Sequence, residues 1–200
     1  MKTQRINSIK VLTTAILVTS LLFMSACSSK QEKSNRERKQ TSGSRASSKP
    51  PGVDMHTATI LGDIEAINQH IKAGSDLDVR EPSIGSSPLI SAAVFGKTEI
   101  ARALINAGAD VNLRNNEGST ALHSAAFLCR TEIVEMLLKK GADKEIRNNN
   151  GSTALESVEA PFSNVKFIYD IFSKDLGPLG LKLDYAELEI TRPMIAGMLR

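Results

Sequence analysis

The fold is decided by residues 118–150, which read GSTALHSAAFLCRTEIVEMLLKKGADKEIRNNN and align without a gap on residues 85–117, GSSPLISAAVFGKTEIARALINAGADVNLRNNE. The shift is 33 residues, and a third unit begins with GSTALESV at Gly151 after the same interval. A fixed period of this length indicates a stack of similar supersecondary units, each of which buries its apolar face only against its neighbours. The sequence therefore predicts a solenoid.

Each unit contains two helical patterns. The first carries a pair of alanines, Ala92–Ala93 or Ala125–Ala126, whose small side chains allow neighbouring helices to approach closely. The second carries apolar residues at the three- and four-residue spacing of one helix face. These are Ile100, Leu104 and Ile105 in one unit and Ile133, Leu137 and Leu138 in the next. The composition, with few aromatic residues and no Trp, also favours small interlocking helices.

The helix boundaries can be predicted from the same units. Thr98 and Thr131 each precede a glutamate, which is favourable at the positive end of a helix dipole, and mark the starts of the second helices. Left-handed helix ends are expected at three glycines, Gly74, Gly108 and Gly141. The linking segments RNNEGST and RNNNGST place Asn and Gly where a tight turn requires positive φ, so Gly118 and Gly151 are turn residues.

These blocks resemble the ankyrin-repeat family. SPLISAA from Ser87 and TALHSAA from Thr120 are similar to the family block TPLHxAA, and GADVN from Gly108 matches a second block. The resemblance covers about residues 53–200 and implies an all-α ankyrin-repeat solenoid. It implies repeats at about 53–81, 82–114, 115–147 and 148–176, followed by a C-terminal cap at 177–200. The first of these lacks its leading turn and is expected to cap the stack.

The resemblance also implies that His56 and His123 brace their turns by hydrogen bonds. The last unit departs from the pattern, because Glu156 replaces the histidine and Pro161 separates the two helical stretches. Its second helix is expected at NVKFIYDIF, residues 164–172, shifted by one position. Proline at 193 predicts that a final short helix begins only at Met194, with Thr191–Pro193 as its N-cap region.

The amino-terminal 26 residues have the form of a signal peptide. Lys2, Arg5 and Lys10 precede an uncharged, largely apolar run over residues 11–26, which is short for a membrane-spanning helix. Met24-Ser25-Ala26-Cys27 resembles a bacterial lipobox. This resemblance implies that Cys27 carries acyl chains that anchor the protein to a membrane in the cell envelope, facing the periplasm or the cell exterior. Ser28 favours the outer membrane if the envelope is Gram-negative.

Residues 27–52 are expected to form a disordered basic tether. They are rich in Ser, Lys, Arg and Pro and cannot bury enough apolar surface to fold. A solvated linker is favoured over binding to anionic headgroups. The charge is divided unevenly, because residues 51–200 carry 15 Lys and Arg against 20 Asp and Glu. The basic surface is therefore in the tether and not in the domain, which argues against nucleic-acid binding.

No catalytic motif is apparent. The sequence has no CxxC, HExxH, GxSxG or Gly-rich phosphate loop, and its three histidines do not form a ligand pattern. Cys129 is expected to be a buried, unreactive thiol. We therefore predict a protein that is not an enzyme and needs no cofactor or metal.

Ankyrin-like stacks bind partners on the concave surface formed by the turn tips and the first helices, so the resemblance implies contact residues at these positions. At the tips they are Ile84, Ser86, Asn116, Glu117, Ser119, Asn149, Asn150 and Ser152. On the first helices they are Val94, Phe95, Phe127 and Leu128. For these last four, contact with a partner and packing between repeats are both open.

The predicted function is that of a membrane-anchored adaptor or inhibitor, which binds one unidentified protein through the concave face. The acidic domain suits a basic partner. An immunity-type protein that neutralises a toxin or an enzyme is one alternative, and a binder of a small molecule or a cell-wall ligand is another. The protein is expected to be a monomer and to bind no nucleic acid.

Overall fold

The computed structural model describes residues 50–200, and these contain helices and turns but no strand. The predicted signal peptide, most of the predicted tether and the proposed acylation site Cys27 lie outside the described residues. The helices are α1 (Met55–Leu61), α2 (Ile64–Ala73), α3 (Pro88–Phe95), α4 (Thr98–Ala107), α5 (Ala121–Phe127), α6 (Thr131–Lys139), α7 (Ala154–Glu159), α8 (Phe162–Leu176) and α9 (Tyr185–Leu199). A 3₁₀ turn, Gly177–Leu179, follows α8.

Short polar side chains start several helices by accepting hydrogen bonds from free backbone N–H groups. Asp54 accepts from Thr57 N, and Ser87 accepts from Ile90 N. Thr153 and Glu156 cap α7 reciprocally. The helices α4 and α6 begin at Thr98 and Thr131, as predicted, although neither receives a side-chain cap. Glu99 and Glu132 in the first turns offset this lack through the helix dipole.

Two rows of helices form the stack. In the inner row α1, α3, α5 and α7 contact one another in order, and in the outer row α2, α4 and α6 do the same. The alanine pairs of α3 and α5 are fully buried, which allows the inner helices to lie close together. Leu104 and Leu137 fill the space between the rows. The all-helical ankyrin-type solenoid predicted from the 33-residue period is confirmed.

Successive turn tips are joined by hydrogen bonds that repeat with the sequence period. The backbone N–H of Asn116 donates to Ile84 O, and that of Asn149 donates to Glu117 O, each at 2.9 Å. The side-chain amides of the same two asparagines also donate to the preceding tip. Glycine is required at position 118 for two reasons. Its φ is 74°, which other residues rarely adopt, and a Cβ would lie 2.5 Å from Asn149 Oδ1. The tips therefore form a ladder with one rung per repeat.

The histidines confirm one prediction and correct another. His123 braces its turn as expected, because Nδ1 accepts from Thr120 N and Nε2 lies 3.1 Å from Ser152 O. The bracing role predicted for His56 is wrong, since both of its buried ring nitrogens have no hydrogen-bond partner among the described residues. His70 of α2 holds the start of the stack instead, with Nε2 2.9 Å from Val53 O. The first unit lacks the preceding turn that His56 would need.

The carboxyl-terminal helices differ from the sequence-based prediction. The helix α8 is longer than residues 164–172 and does not continue the outer row. It packs across the end of α5, where Val165 and Tyr169 share an apolar cluster with Leu128. The helix that packs against α6 and α7 is α9. The predicted short helix from Met194 is also wrong, because α9 runs from Tyr185 through Pro193, whose side chain is exposed.

A buried arginine joins these two helices to the stack. Arg192 of α9 is 2% exposed and donates to Tyr169 Oη at 2.7 Å, to Ala160 O at 2.8 Å and to Ser157 O at 3.3 Å. None of these acceptors is a carboxylate. The two carbonyls belong to the end of α7, where the helix dipole is negative, so the charge is stabilised by backbone oxygens. Tyr169 in turn donates to Phe127 O of α5 at 2.6 Å.

We predict that Arg192→Met lowers the free energy of unfolding by about 2 to 4 kcal/mol, because three acceptors lose a charged donor. Urea denaturation followed by circular dichroism measures the loss. The control is Arg102→Met, which removes a side chain that is 46% exposed and whose ion-pair partners among the described residues are the surface glutamates Glu99 and Glu132. Equal effects of the two substitutions would show that the Arg192 network adds no specific stability.

Candidate functional site

The candidate site begins with three residues that occupy the same position in successive tips. Ile84, Glu117 and Asn150 are separated by one period each, and each retains solvent exposure. Repeats of a helical stack are spaced about 10 Å apart. The tip row, as we call these three residues, therefore presents an apolar, an acidic and an amide side chain at regular intervals along one edge.

Glu117 is the unusual member of the tip row. Its carboxylate accepts no hydrogen bond among the described residues, and burial raises its pKa above the ordinary value of a glutamate. A carboxylate that is already partly removed from water costs less to desolvate when a cationic side chain binds it. Glu117 is therefore suited to receive a lysine or arginine.

Several of the predicted tip contacts have structural roles instead. Asn116 and Asn149 extend their amides along the ladder, and Ser86 is buried. Ser119 and Ser152 are partly buried and form the inner sides of their turns. Residues at these positions shape the tips, whereas the side chains of the tip row take no part in the hydrogen bonds that join the described tips.

Three residues that shape the tips were missed by the sequence reasoning. Asn115 accepts from Glu117 N and Ser119 N, and Asn148 accepts in the same way from Asn150 N and Ser152 N. In the first tip the carboxylate of Glu81 accepts the corresponding backbone hydrogen bonds. Burial opposes ionisation of Glu81, but hydrogen bonds from Ser83, Ile84 and Ser86 lower its pKa below the ordinary value. The signal was present in the sequence, because Asn recurs at 115 and 148 with the period.

The four candidates on the inner helices separate into two groups. Phe95 is partly exposed and belongs to neither apolar cluster of the described residues. Val94 is partly buried beside the second cluster, which is the apolar contact region between α5, α8 and α9. Leu128 is 2% exposed, and Phe127 stacks on Tyr169 with ring centroids 4.6 Å apart. Phe127 and Leu128 are therefore packing residues, and their role as surface anchors is not supported by their position.

Burial and aromatic packing make the second cluster chemically inert. The phenol of Tyr169 has its pKa raised to about 12 by burial. Cys129 adopts a left-handed φ of 55° at the turn after α5, and burial raises the pKa of its thiol to about 11. A thiol with so high a pKa is a poor nucleophile. Beside it lies a cleft of about 290 Å³ whose lining includes Arg130, Lys182, Asp184 and Glu187, which carry charges of both signs.

The described part of the chain has neither a metal-binding cluster nor a membrane-spanning helix. Residues 50–200 hold no group of three or more His, Cys, Asp or Glu side chains arranged to bind a metal ion. Among the helices described, none has the length and apolarity needed to cross a bilayer. Of the contact residues predicted from the sequence, the tip row and Phe95 are those left outside the ladder and the apolar clusters of the described residues.

The helix pairs, the 33-residue ladder and the exposed tips define an ankyrin-type binding scaffold. The family model for ankyrin repeats, in three copies, matches residues 55–156. The chain therefore belongs to the ankyrin-repeat family. The match ends inside α7, so α8 and α9 lie beyond the part of the chain that the family model covers.

Known proteins resemble parts of the chain. Human DNA-binding protein RFXANK is 32% identical over 86 residues, which is 42% of this chain and 32% of that protein. Human protein phosphatase 1 regulatory subunit 27 is 36% identical over 64 residues, 32% of this chain and 41% of that protein. The crystal structure of the ankyrin repeat domain of Bcl-3 superposes on this chain with a TM-score of 0.51 and 29% sequence identity. The superposition covers 59% of this chain and 50% of the Bcl-3 chain. The chain thus spans less than half the length of these two curated relatives.

We predict that Phe127→Ala lowers the free energy of unfolding by about 3 kcal/mol or more, because it removes a ring stacked in the second cluster. The matched change Phe95→Ala costs less than about 1 kcal/mol, since that ring lies outside both clusters. Chemical denaturation of the two variants measures the difference. Similar losses for both would place Phe95 in the core as well.

Proposed function

We propose that this protein is a non-catalytic protein-interaction module that binds one partner protein through the tip row and Phe95. The observation that carries the proposal is the tip row itself, in which three different side chains occupy equivalent positions on an otherwise repeating frame. The ladder that supports them is made mainly by backbone groups and by neighbouring asparagines. Variation at the row can therefore serve recognition, since the scaffold does not depend on these side chains.

The chemistry of the row indicates the kind of partner. Ile84 suits an apolar side chain, Glu117 a lysine or arginine, and Asn150 a polar group that both donates and accepts. Phe95 adds an aromatic contact of the kind that dominates interface energies. The excess of acidic residues over residues 51–200 also favours a basic protein.

The relatives agree with a binding role. One is a regulatory subunit of a phosphatase by its name, and another is called a DNA-binding protein. Because residues 51–200 are acidic overall, we favour a protein partner over DNA for this chain. A concave binder of this kind can act as an adaptor, as an inhibitor or as an immunity-type protein that neutralises a toxin. A binder of a small molecule or a cell-wall ligand is less favoured, because the cleft beside Cys129 is lined in large part by charged side chains, whereas ligand pockets are mostly apolar.

We predict that Glu117→Lys reduces capture of the partner at least ten-fold, because it replaces the half-buried carboxylate with a like charge for a basic partner. The tagged full chain is used to retain proteins from an envelope extract, and retained proteins are quantified by mass spectrometry against the variants. Glu65→Lys, an identical charge change in the first turn of the outer helix α2, is the control. A protein lost equally with both variants is a non-specific electrostatic contact, and a protein retained equally by both contradicts the proposed site.

We further propose that the module is attached to a membrane of the cell envelope by acyl chains on Cys27 and faces the periplasm or the cell exterior. The support is the lipobox-like stretch Met24–Cys27 after an apolar run. Two or more acyl chains make attachment stable, whereas one chain binds reversibly. The basic segment that follows would let the module reach some tens of ångströms from the membrane.

Cys27→Ser is expected to remove the protein of mature size from the membrane fraction, because the acylated thiol is lost. The protein then appears in the soluble fraction or as a longer, unprocessed precursor. Fractionation of producing cells followed by immunoblotting measures the shift. Cys129→Ser serves as the control, since that thiol lies in the folded domain and should not affect the distribution. An unchanged membrane fraction for Cys27→Ser would refute the lipid anchor.

A further inference from the structure

The outward face of α9 is apolar along most of its length. Its inward residues, among them Leu188, Ile195 and Leu199, are buried against the stack. On the opposite side Ile190 is 74% exposed and Met194 is 56% exposed. Three further exposed residues share this side at helical spacing, namely Ala186, Pro193 and Gly197. These five residues, the α9 stripe, extend about 16 Å without a charged side chain.

The position of the α9 stripe makes it unusual. Since α9 covers α7, the last helix of the inner row, the stripe forms the outer face of the carboxyl-terminal end of the stack. The ends of solenoids need a polar outer face, because no further repeat covers them. An apolar end indicates that another protein surface packs there.

The charged residues beside the α9 stripe indicate which protein surface packs on it. Glu189 and Arg200 lie on the same flank of the stripe and are eleven residues apart, which is about three helical turns. The Arg200 guanidinium pairs with Glu159 of its own chain at 3.2 Å, but the side chain stays 62% exposed, so it has donors left for a second carboxylate. If two α9 helices pair antiparallel across a two-fold axis between Met194 and Ile195, Glu189 of each copy meets Arg200 of the other. The same register brings Ile190 of one copy within about 3 Å, along the helix axis, of the level of Gly197 of the other. The helix dipoles are also antiparallel in this arrangement.

We propose that the α9 stripe binds a second copy of this chain in this antiparallel, two-fold arrangement. The contact is isologous, so both charge pairs form at once. An anionic bilayer is a poorer occupant, because Glu187 and Glu189 border the stripe. The association goes beyond the proposed partner binding, does not depend on it, and differs from the monomer expected from the sequence.

The expected dimer is weak. A helix face about 16 Å long and about 10 Å wide is small beside the roughly 800 Å² that each partner buries in a stable complex. Association should therefore require a high local concentration, such as that of molecules held on one membrane. A covalent trap is better suited to detect it than gel filtration.

The first experiment places a cysteine at the proposed two-fold axis. The full chain carrying Cys27→Ser, Cys129→Ser and Met194→Cys is oxidised, and the disulfide-linked dimer is followed by non-reducing electrophoresis. Facing positions of helices packed 8–10 Å apart are within disulfide reach. The control carries Leu61→Cys, which is 72% exposed at the other end of the stack. Faster cross-linking at position 194 supports the proposal, and equal rates overturn it.

The second experiment tests the register by charge reversal in the Met194→Cys chain. Glu189→Arg alone and Arg200→Glu alone each create two like-charge pairs and should slow cross-linking about five-fold, since two exposed ion pairs are lost. The two variants mixed together restore opposite charges in both pairs, so they should cross-link to each other at about the parent rate. Rates that do not change with charge, or a mixture that stays slow, would overturn the proposed arrangement. Partner capture through Glu117 is measured separately, and its failure would leave these results unaffected.

Discussion

The structure depends on the hydrogen bonds between one turn tip and the next. The bond from Asn149 N to Glu117 O fixes the spacing of two repeats to one value, and the bond from Asn116 N to Ile84 O repeats that spacing. Because each helix pair buries its inner face only against its neighbours, this register also determines which alanines face each other in the core. Gly118 is indispensable at this point, since any larger residue would displace the Asn149 side chain.

The end of the stack follows a different principle. There the period is lost, and a single guanidinium replaces the ladder as the organising group. Arg192 donates hydrogen bonds to the free carbonyls at the end of α7 and to the hydroxyl of Tyr169. Tyr169 in turn donates to a carbonyl at the end of α5. One side chain thereby satisfies helix-end oxygens that would otherwise be buried without a donor. The aromatic rings around Tyr169 then exclude water from the junction.

The sequence predicted the repeating part of the fold well, because its signals are local and recur. The alanine pairs, Thr98, Thr131 and the turn glycines each specify structure within a few residues of themselves. The final helices could not be predicted in this way, since the contact of Tyr169 with Phe127 spans 42 residues and has no repeated counterpart. Pro193 was misleading for a related reason: proline usually ends a helix, but here its side chain faces solvent and the rest of α9 is held by burial on the stack.

The difference between local signals and long-range contacts also explains which residues of the candidate site could be predicted. Sequence comparison with the family pattern located the tips but did not separate Asn116, whose side chain builds the ladder, from Glu117, whose half-buried carboxylate takes no part in it. Phe127 and Phe95 occupy similar places after an alanine pair, yet only Phe127 is covered by α8. Burial of a residue by a helix more than thirty positions away leaves no local trace in the sequence.

The tip ladder has a consequence for how this protein can evolve. Its rungs are formed from units of 33 residues whose ends are joined by the same bonds, so duplication or loss of one whole unit leaves every remaining rung intact. Such an event would add or remove one side chain in the row at positions 84, 117 and 150. The length of the tip row can therefore change by one whole repeat at a time. Its chemistry can change separately, by point mutation at a single position of the row.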